Sequence, residues 1–343
     1  MGEGGARDGD LVAEAAAIVA RARTEMARRL VGKDDLIRGM LTGLIAGGHV
    51  LLEGVPGLAK TLAVKTFAEI AGLEFSRIQF TPDLLPADIT GTYVLSPKDG
   101  TFSLRAGPIF ANIILADEVN RAPAKVQSAL LEAMEEGQVT IGDESHALPD
   151  PFFVMATQNP IEHEGTYPLP EAELDRFVMK LLAGYPGVEE EIEVVHRSGG
   201  ASRASVARVL GIAEIGLLRQ AVESIRFDEA LVAYVVRLVR ATRPGQDSRE
   251  GVRATTAERS GEGVREILRY VEYGASPRAS IHLFRCARIA ALLAGRDHVL
   301  PDDIKAVARD VLRHRLVLTY QAEADKIGAD AIVTRLLATV HLP

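Results

Sequence analysis

Cysteine is nearly absent from this chain and tryptophan is missing altogether. The 343 residues hold one cysteine, Cys286, and no Trp, so no disulfide can form within the chain. The neighbours of that cysteine, LFRCARIAALL, have the spacing of a buried helix face, which predicts a small core residue and not a reactive thiol. The eight histidines are scattered, with no H-E-x-x-H and no paired C-x-x-C, so none of the familiar zinc patterns is present. A basic excess is also missing. Lys and Arg number 39 against 47 Asp and Glu, for a formal charge of −8, which is not the footprint of a nucleic-acid binder. Long apolar runs are lacking as well. The longest, GMLTGLIAGGHVLL, is too short and too broken by glycine to span a bilayer. The first ten residues, MGEGGARDGD, lack the basic and apolar regions of a signal peptide; they read as a disordered tail over 1–10, and a cytoplasmic location is the expectation.

What is there is an ordinary globular composition, 47% apolar and 25% charged, on a chain long enough for one large domain or two modest ones. From Leu11 to about Gly47 the apolar spacing is helical, with a break at VGKDD. HVLLE then predicts a short buried strand, followed by the loop GVPGLAKT and the helix TLAVKTFAEIAG. FSRIQF is a second strand and NIILADE a third. AKVQSALLEAMEE is a helix with Val126, Leu130, Leu131 and Met134 on one face. FFVMATQ and RFVMKLL read as strands four and five. Between these lie two hairpins. TYVL and TFSLR flank S-P-K-D-G, and QVTIGDESHAL turns near Gly142–Ser145. Strands alternating with helices mean an α/β unit with a largely parallel sheet. After GYPGVEEE no further strand is convincing, and five helical stretches follow. The polar, Arg-rich interval over 244–263 has no apolar period and reads as a mobile loop.

Several short motifs carry chemistry. GVPGLAKT nearly spells the phosphate-binding loop G-x-x-x-x-G-K-S/T, and it sits between a predicted strand and a predicted helix, as that loop requires. Backbone N–H groups at a helix N-terminus attract anions because they lack internal acceptors. Gly54 and Gly57 allow the curl, Lys60 supplies a charge for phosphates, and Thr61 offers a hydroxyl to Mg²⁺. Ala59 stands where the last glycine belongs; a residue leading into a helix is expected near the right-handed region, where alanine is tolerated. In IILADE a buried strand ends on Asp117 and Glu118. Asp117 suits Mg²⁺ and Glu118 suits orienting an attacking water. ATQNP puts Asn159 at the sheet edge where ligands of open α/β sheets bind. Arg176, in LPEAELDRF, could reach a neighbour's γ-phosphate, or pair with Glu173 or Asp175. In GASPRAS, Ser276 and Pro277 start a helix and Arg278 falls in its first turn, where a cation needs an anionic partner.

Taken together, GVPGLAKT, ILADEVNRAPAKVQSALLEAMEE, ATQNP, PLPEAELDRF and GASPRAS resemble the MoxR family of AAA+ ATPases, over nearly the whole chain from about Leu11. The resemblance implies an AAA+ core over 11–199, with a five-stranded parallel sheet in 5-1-4-3-2 order, and a C-terminal α-helical lid over 200–343. It implies an insert in helix 2 at about 81–107 and a hairpin before sensor 1 at about 138–148. It implies ATP and Mg²⁺ as cofactors. The loop residues Gly54, Val55, Pro56, Gly57, Leu58, Ala59, Lys60, Thr61 and Leu62 would bind nucleotide. Val31 and Gly32 would lie beside the adenine, and Thr61 and Asp117 at the metal. Glu118 would be catalytic, Asn159 sensor 1, Arg278 sensor 2, and Arg176 an arginine finger acting in trans. Arg121 would lie near a subunit interface. The family also implies a hexameric ring, a von Willebrand factor A-type partner, a protein client and a chaperone-like role. Neither nucleic acid nor membrane insertion is implied. The competing assignments are a magnesium-chelatase-type ATPase subunit, a nucleic-acid motor and a nucleotide-binding scaffold without turnover. The second hairpin has Asp143 and Glu144 but no Lys or Arg, which argues against tracking a phosphate backbone.

Overall fold

Strands that are buried on both faces read as continuous apolar runs, and three such strands form the middle of the main sheet. The computed structural model describes residues 3–55, 57–98, 100–160, 166–198, 204–245 and 266–342. Its strands are β1 (Val50–Glu53), β2 (Phe75–Gln79), β3 (Gly91–Leu95), β4 (Phe102–Ala106), β5 (Ile113–Asp117), β6 (Gln138–Ile141), β7 (Glu144–Ala147), β8 (Phe153–Gln158) and β9 (Met179–Leu182). Five of them make one sheet in the order β2-β5-β8-β1-β9, which is the expected 5-1-4-3-2 arrangement. The pairings β2–β5, β5–β8 and β1–β8 are parallel. β5 is buried at all five positions. β2 lies at the sheet edge, and there the pattern loosens to FSRIQ, with Arg77 and Gln79 exposed.

Alternation along the strands sends side chains to two faces. On one face Leu51, Ile78, Ile114, Ala116, Val154 and Ala156 pack with the helix Ala124–Glu136, and Val126, Leu130, Leu131 and Met134 are the residues that helix buries there. On the other face Phe67, from the helix Lys60–Ala71, meets the Phe153 ring edge-on at 5.9 Å. The hairpins β3–β4 and β6–β7 are both antiparallel, and they meet where the Tyr93 hydroxyl donates to the Glu144 carboxylate at 2.5 Å.

The chain divides into two units. One comprises residues 17–177 and 181–218; the other takes in the described residues of 1–16, 178–180 and 219–343. The second unit is helical, built on Glu229–Arg240, Pro277–Leu293, Pro301–Leu312 and Ala329–Thr339. Asp228 caps the first of these through the Ala230 N–H at 2.7 Å. Cys286 is fully buried among core residues such as Leu283 and Ala287, and burial pushes its thiol up to about 12, so it is the inert core residue expected.

Four expectations need correction or fall outside the described residues. The expected tail over 1–10 is instead mostly helix, since the first helix spans Glu3–Ala27; its glycines are outweighed by the strongly helical LVAEAAAIVARA run that follows. The expected division at 199/200 moves to 218/219, with an N-terminal segment exchanged. The cause is residues 204–210, which bond back to the α/β unit: Val209 and Leu210 N–H donate to the Ile70 carbonyl, and Ala207 N–H to Glu25. The helical unit also contains a strand pair, Val271–Tyr273 with Val317–Leu318, too short to show a period of two. The loop expected at 244–263 lies outside the described residues after Gly245.

One buried polar contact makes the fold pH-sensitive. His49 precedes β1, and its Nε2 faces the Met134 carbonyl at 2.9 Å while its Nδ1 accepts the Val154 N–H at 3.1 Å. Nε2 therefore carries the proton and the ring is neutral. Burial lowers its pKa to about 4, below the ordinary value near 6.5. The unfolded chain then binds the extra proton first, so stability is complete above about pH 6.5 and falls as pH drops toward 4. The loss should total about 3 kcal/mol. Denaturant titrations between pH 7 and 4 should show it, and His49→Gln should start less stable but lose less over that range.

Candidate functional site

The loop between β1 and the helix Lys60–Ala71 is shaped by what it must avoid. A Cβ on Gly54 would stand 2.8 Å from the Ala183 Cβ and 2.9 Å from its carbonyl oxygen, so only glycine fits. Gly57 has φ +87°, with open space where a side chain would be. Ala59 has φ 57° and ψ 23°. This corrects the expectation of a right-handed conformation: the position does require the left-handed region, and alanine occupies it at a cost of about 1 kcal/mol. The helical ladder opens with the Ala63 N–H on the Ala59 carbonyl at 2.9 Å. The N–H groups before it belong to a first turn with no internal acceptors. The Lys60 side chain is buried, and its Nζ donates to the Gly54 carbonyl at 2.9 Å. Its pKa is lowered by burial, an effect opposed by the negative charges of Asp117 and Glu118. Leu58 is buried, and Val55, Thr61 and Leu62 are half-buried. Pro56 is outside the described residues.

The two acids stand at the end of β5, and three strands hold them. Gln79 is directly opposite Asp117 in the β2–β5 register, and Arg77 is two residues back on the same face. Arg77 donates to Asp117 Oδ2 from Nη2 at 2.6 Å and from Nε at 3.2 Å. From the β8 side, the Thr157 hydroxyl donates to Asp117 Oδ1 at 2.6 Å and accepts the Glu118 N–H at 2.9 Å. Glu118 itself lies in the left-handed region, φ 59°, uncommon for a residue other than glycine and frequent at functional sites. Its Oε2 accepts from Gln79 Nε2 at 2.9 Å and from Arg121 Nη1 at 3.1 Å. Arg77, Gln79 and Thr157 are absent from the candidates that the sequence suggests. The strand pattern places Arg77 and Gln79 on one face, but only the sheet order brings that face to Asp117.

Asn159 follows β8 and is buried. Arg176 pairs with Glu135, Nη1 to Oε2, at 3.2 Å, and not with Glu173 or Asp175 as the sequence neighbours suggest. It lines a cleft of about 300 Å³ with Ser128, Glu132, Glu135, Glu136 and Glu173. Val31 is half-buried, and Gly32, at φ +61°, has the Glu190 carboxylate packed where a side chain would stand. Glu190 in turn accepts the Gly187 N–H at 2.9 Å. Arg278 belongs to the helical unit. It lies in the first turn of Pro277–Leu293, where its N–H donates to the capping Ser276 hydroxyl at 3.1 Å.

A phosphate-loop strand and helix, a central strand ending in two acids and a separate helical unit define the AAA+ class of nucleotide-binding proteins. The chain matches the family model described as "ATPase family associated with various cellular activities (AAA)" over residues 49–179, and the AAA lid domain over residues 267–336. It is 50% identical to the Chaperone MoxR1 of Mycobacterium tuberculosis over 94% of this chain and 82% of that one. It is 33% identical to the Protein MoxR of Methylorubrum extorquens over 94% of this chain and 95% of that one. A solved structure from Cytophaga hutchinsonii superposes with a TM-score of 0.87 at 44% identity, covering 97% of each chain. The chain belongs to the MoxR family of AAA+ ATPases.

The strain at Ala59 has a direct consequence. Ala59→Gly should relieve the left-handed alanine, offset in part by the greater freedom of glycine in the unfolded chain. The expected outcome is a gain of up to about 1 kcal/mol in denaturant unfolding, with Gly57→Ala losing stability under the same conditions.

Proposed function

We propose that this chain binds ATP with Mg²⁺ and hydrolyses it, as a motor with a chaperone-like role. The observation that carries this reading is a strand–loop–helix in which the buried Lys60 Nζ donates to the Gly54 carbonyl at 2.9 Å, in the same sheet whose strand β5 ends on Asp117 and is followed by Glu118. The residues present fit the nucleotide. The loop is open at Gly57, the first-turn N–H groups are donors without internal acceptors, and Lys60 adds a cation. They also fit the metal. Mg²⁺ is usually held by one or two carboxylates together with substrate phosphates, and Thr61 and Asp117 are the protein ligands this chain offers. When bound, the ion neutralises charge on the phosphates.

The chain's own residues then divide the work. Gly54 to Leu62 wrap the phosphates, and Val31 and Gly32 border the adenine. Glu118 orients and polarises the attacking water, and Asn159 positions it. Arg278 contacts phosphate from the lid. Arg176 reaches the γ-phosphate of a neighbouring subunit, and its pairing with Glu135 is one it must leave to do so. This requires a ring, for which six subunits is the proposal. A von Willebrand factor A-type partner and a protein client complete it. The carboxylate-bearing hairpin β6–β7, with Glu144 already engaged by Tyr93, supports a protein client over nucleic acid.

ATPase rate per subunit, measured against protein concentration, tests this. The rate should rise with concentration as subunits associate. Glu118→Gln and Arg176→Ala should each lower it by about 10²-fold or more, with Glu118→Gln still binding ATP. ATP binding without turnover at any concentration would leave a scaffold and overturn the hydrolysis reading.

A further inference from the structure

Asp117 is more fully occupied than a residue awaiting a metal needs to be. An ionised carboxylate has about four lone-pair sites. Three accept hydrogen bonds here: two from Arg77 on Oδ2 and one from Thr157 on Oδ1. The remaining site is on Oδ1. The Asp117 side chain is only 12% exposed, so its charge needs a positive partner; Arg77 is that partner and is itself 46% exposed. An arginine at the sheet edge can swing into water at little cost, whereas the aspartate cannot leave. The pairing is also asymmetric. Both Arg77 contacts fall on one oxygen, unlike the two-oxygen fork that gives arginine–carboxylate pairs their strength.

The same guanidinium links the two acids. Arg77 Nη2 donates to Gln79 Oε1 at 2.7 Å, and Gln79 Nε2 donates to Glu118 Oε2 at 2.9 Å. Asp117, Arg77, Gln79 and Glu118 thus form one hydrogen-bonded chain. If Arg77 leaves Asp117, the partner that orients the Gln79 amide leaves with it, and the hold on Glu118 loosens.

We propose that Arg77 is a positioning residue that competes with the divalent cation for Asp117, so that cation arrival displaces Arg77 and loosens the Gln79 contact to Glu118, whose carboxylate Arg121 still holds at 3.1 Å. This rests on the ATP- and Mg²⁺-binding reading above. Two like charges cannot both sit against one carboxylate without repulsion, and the doubly charged ion with its phosphate ligands is the stronger partner. Arg77 thereby sets the Mg²⁺ concentration at which the site loads, and until then it orients the Gln79 amide toward Glu118.

The test is equilibrium binding of a fluorescent ATP analogue to the full chain, first with chelator and then across a Mg²⁺ titration. Arg77→Met keeps the apolar stem and removes the charge; its half-saturating Mg²⁺ should fall about tenfold relative to wild type, equivalent to about 1.4 kcal/mol. Affinity in chelator should not improve, because Asp117 is then uncompensated. Arg77→Lys retains the charge, and with it the fold, but offers a weaker contact, so it should fall between the two. Half-saturation unchanged or raised in both variants would overturn the proposal and leave Arg77 as a tether for the edge strand. Wild type that fails to bind the probe at any Mg²⁺ concentration would overturn the ATP-site reading, and this proposal with it.

Discussion

The end of β5 imposes the constraint on which the site depends. A strand buried at every position delivers two carboxylates to one place, and a buried charge without partners is strongly destabilising. The sheet order supplies the partners. β2 on one side brings Arg77 and Gln79, and β8 on the other brings Thr157. Thr157 serves both acids at once, donating to one and accepting from the backbone of the other. Without these two neighbours Asp117 would lose all three of the hydrogen bonds that its carboxylate accepts from Arg77 and Thr157.

Strain is concentrated around the same place. Ala59 at the head of the phosphate loop and Glu118 after β5 are two of the three residues other than glycine with positive φ among the described residues. Each costs on the order of 1 kcal/mol and persists because its surroundings determine it. At Ala59 the surroundings are the glycine-lined curl and the helix it opens. At Glu118 they are the Thr157 hydroxyl, the Gln79 amide and the Arg121 guanidinium. Next to Ala59 is Lys60, whose side chain is buried; burial lowers its pKa, and the negative charges of Asp117 and Glu118 oppose that. The loop and the strand end are therefore one electrostatic unit assembled from distant parts of the chain.

The sequence made much of this visible, for identifiable reasons. Apolar runs such as VLLE and IILAD announce strands covered on both faces, and AKVQSALLEAMEE announces the helix that covers one of them. The phosphate loop and the acid pair are local strings, so they can be read without a fold. The clasp is different. Arg77 lies 40 residues from Asp117 in sequence, as does Thr157, and no local pattern couples them. The left-handed conformation of Ala59 is not legible in the sequence, because position relative to a helix does not determine φ. Arg176 follows the acids Glu173 and Asp175 in sequence, yet it pairs with Glu135, which only packing brings near. The lid strands at Val271–Tyr273 and Val317–Leu318 are shorter than any periodicity can register.

The central claim is that the loop and the strand-end acids form one ATP site, and equilibrium ATP binding to the full chain and to Lys60→Ala tests it most directly. Removing the ammonium takes away the cation that the account sets against the phosphates. The account expects wild type to bind and Lys60→Ala to lose at least about tenfold in affinity, with its fold retained by circular dichroism. Equal affinity in the two proteins would contradict it, because ATP would then be held somewhere other than this loop.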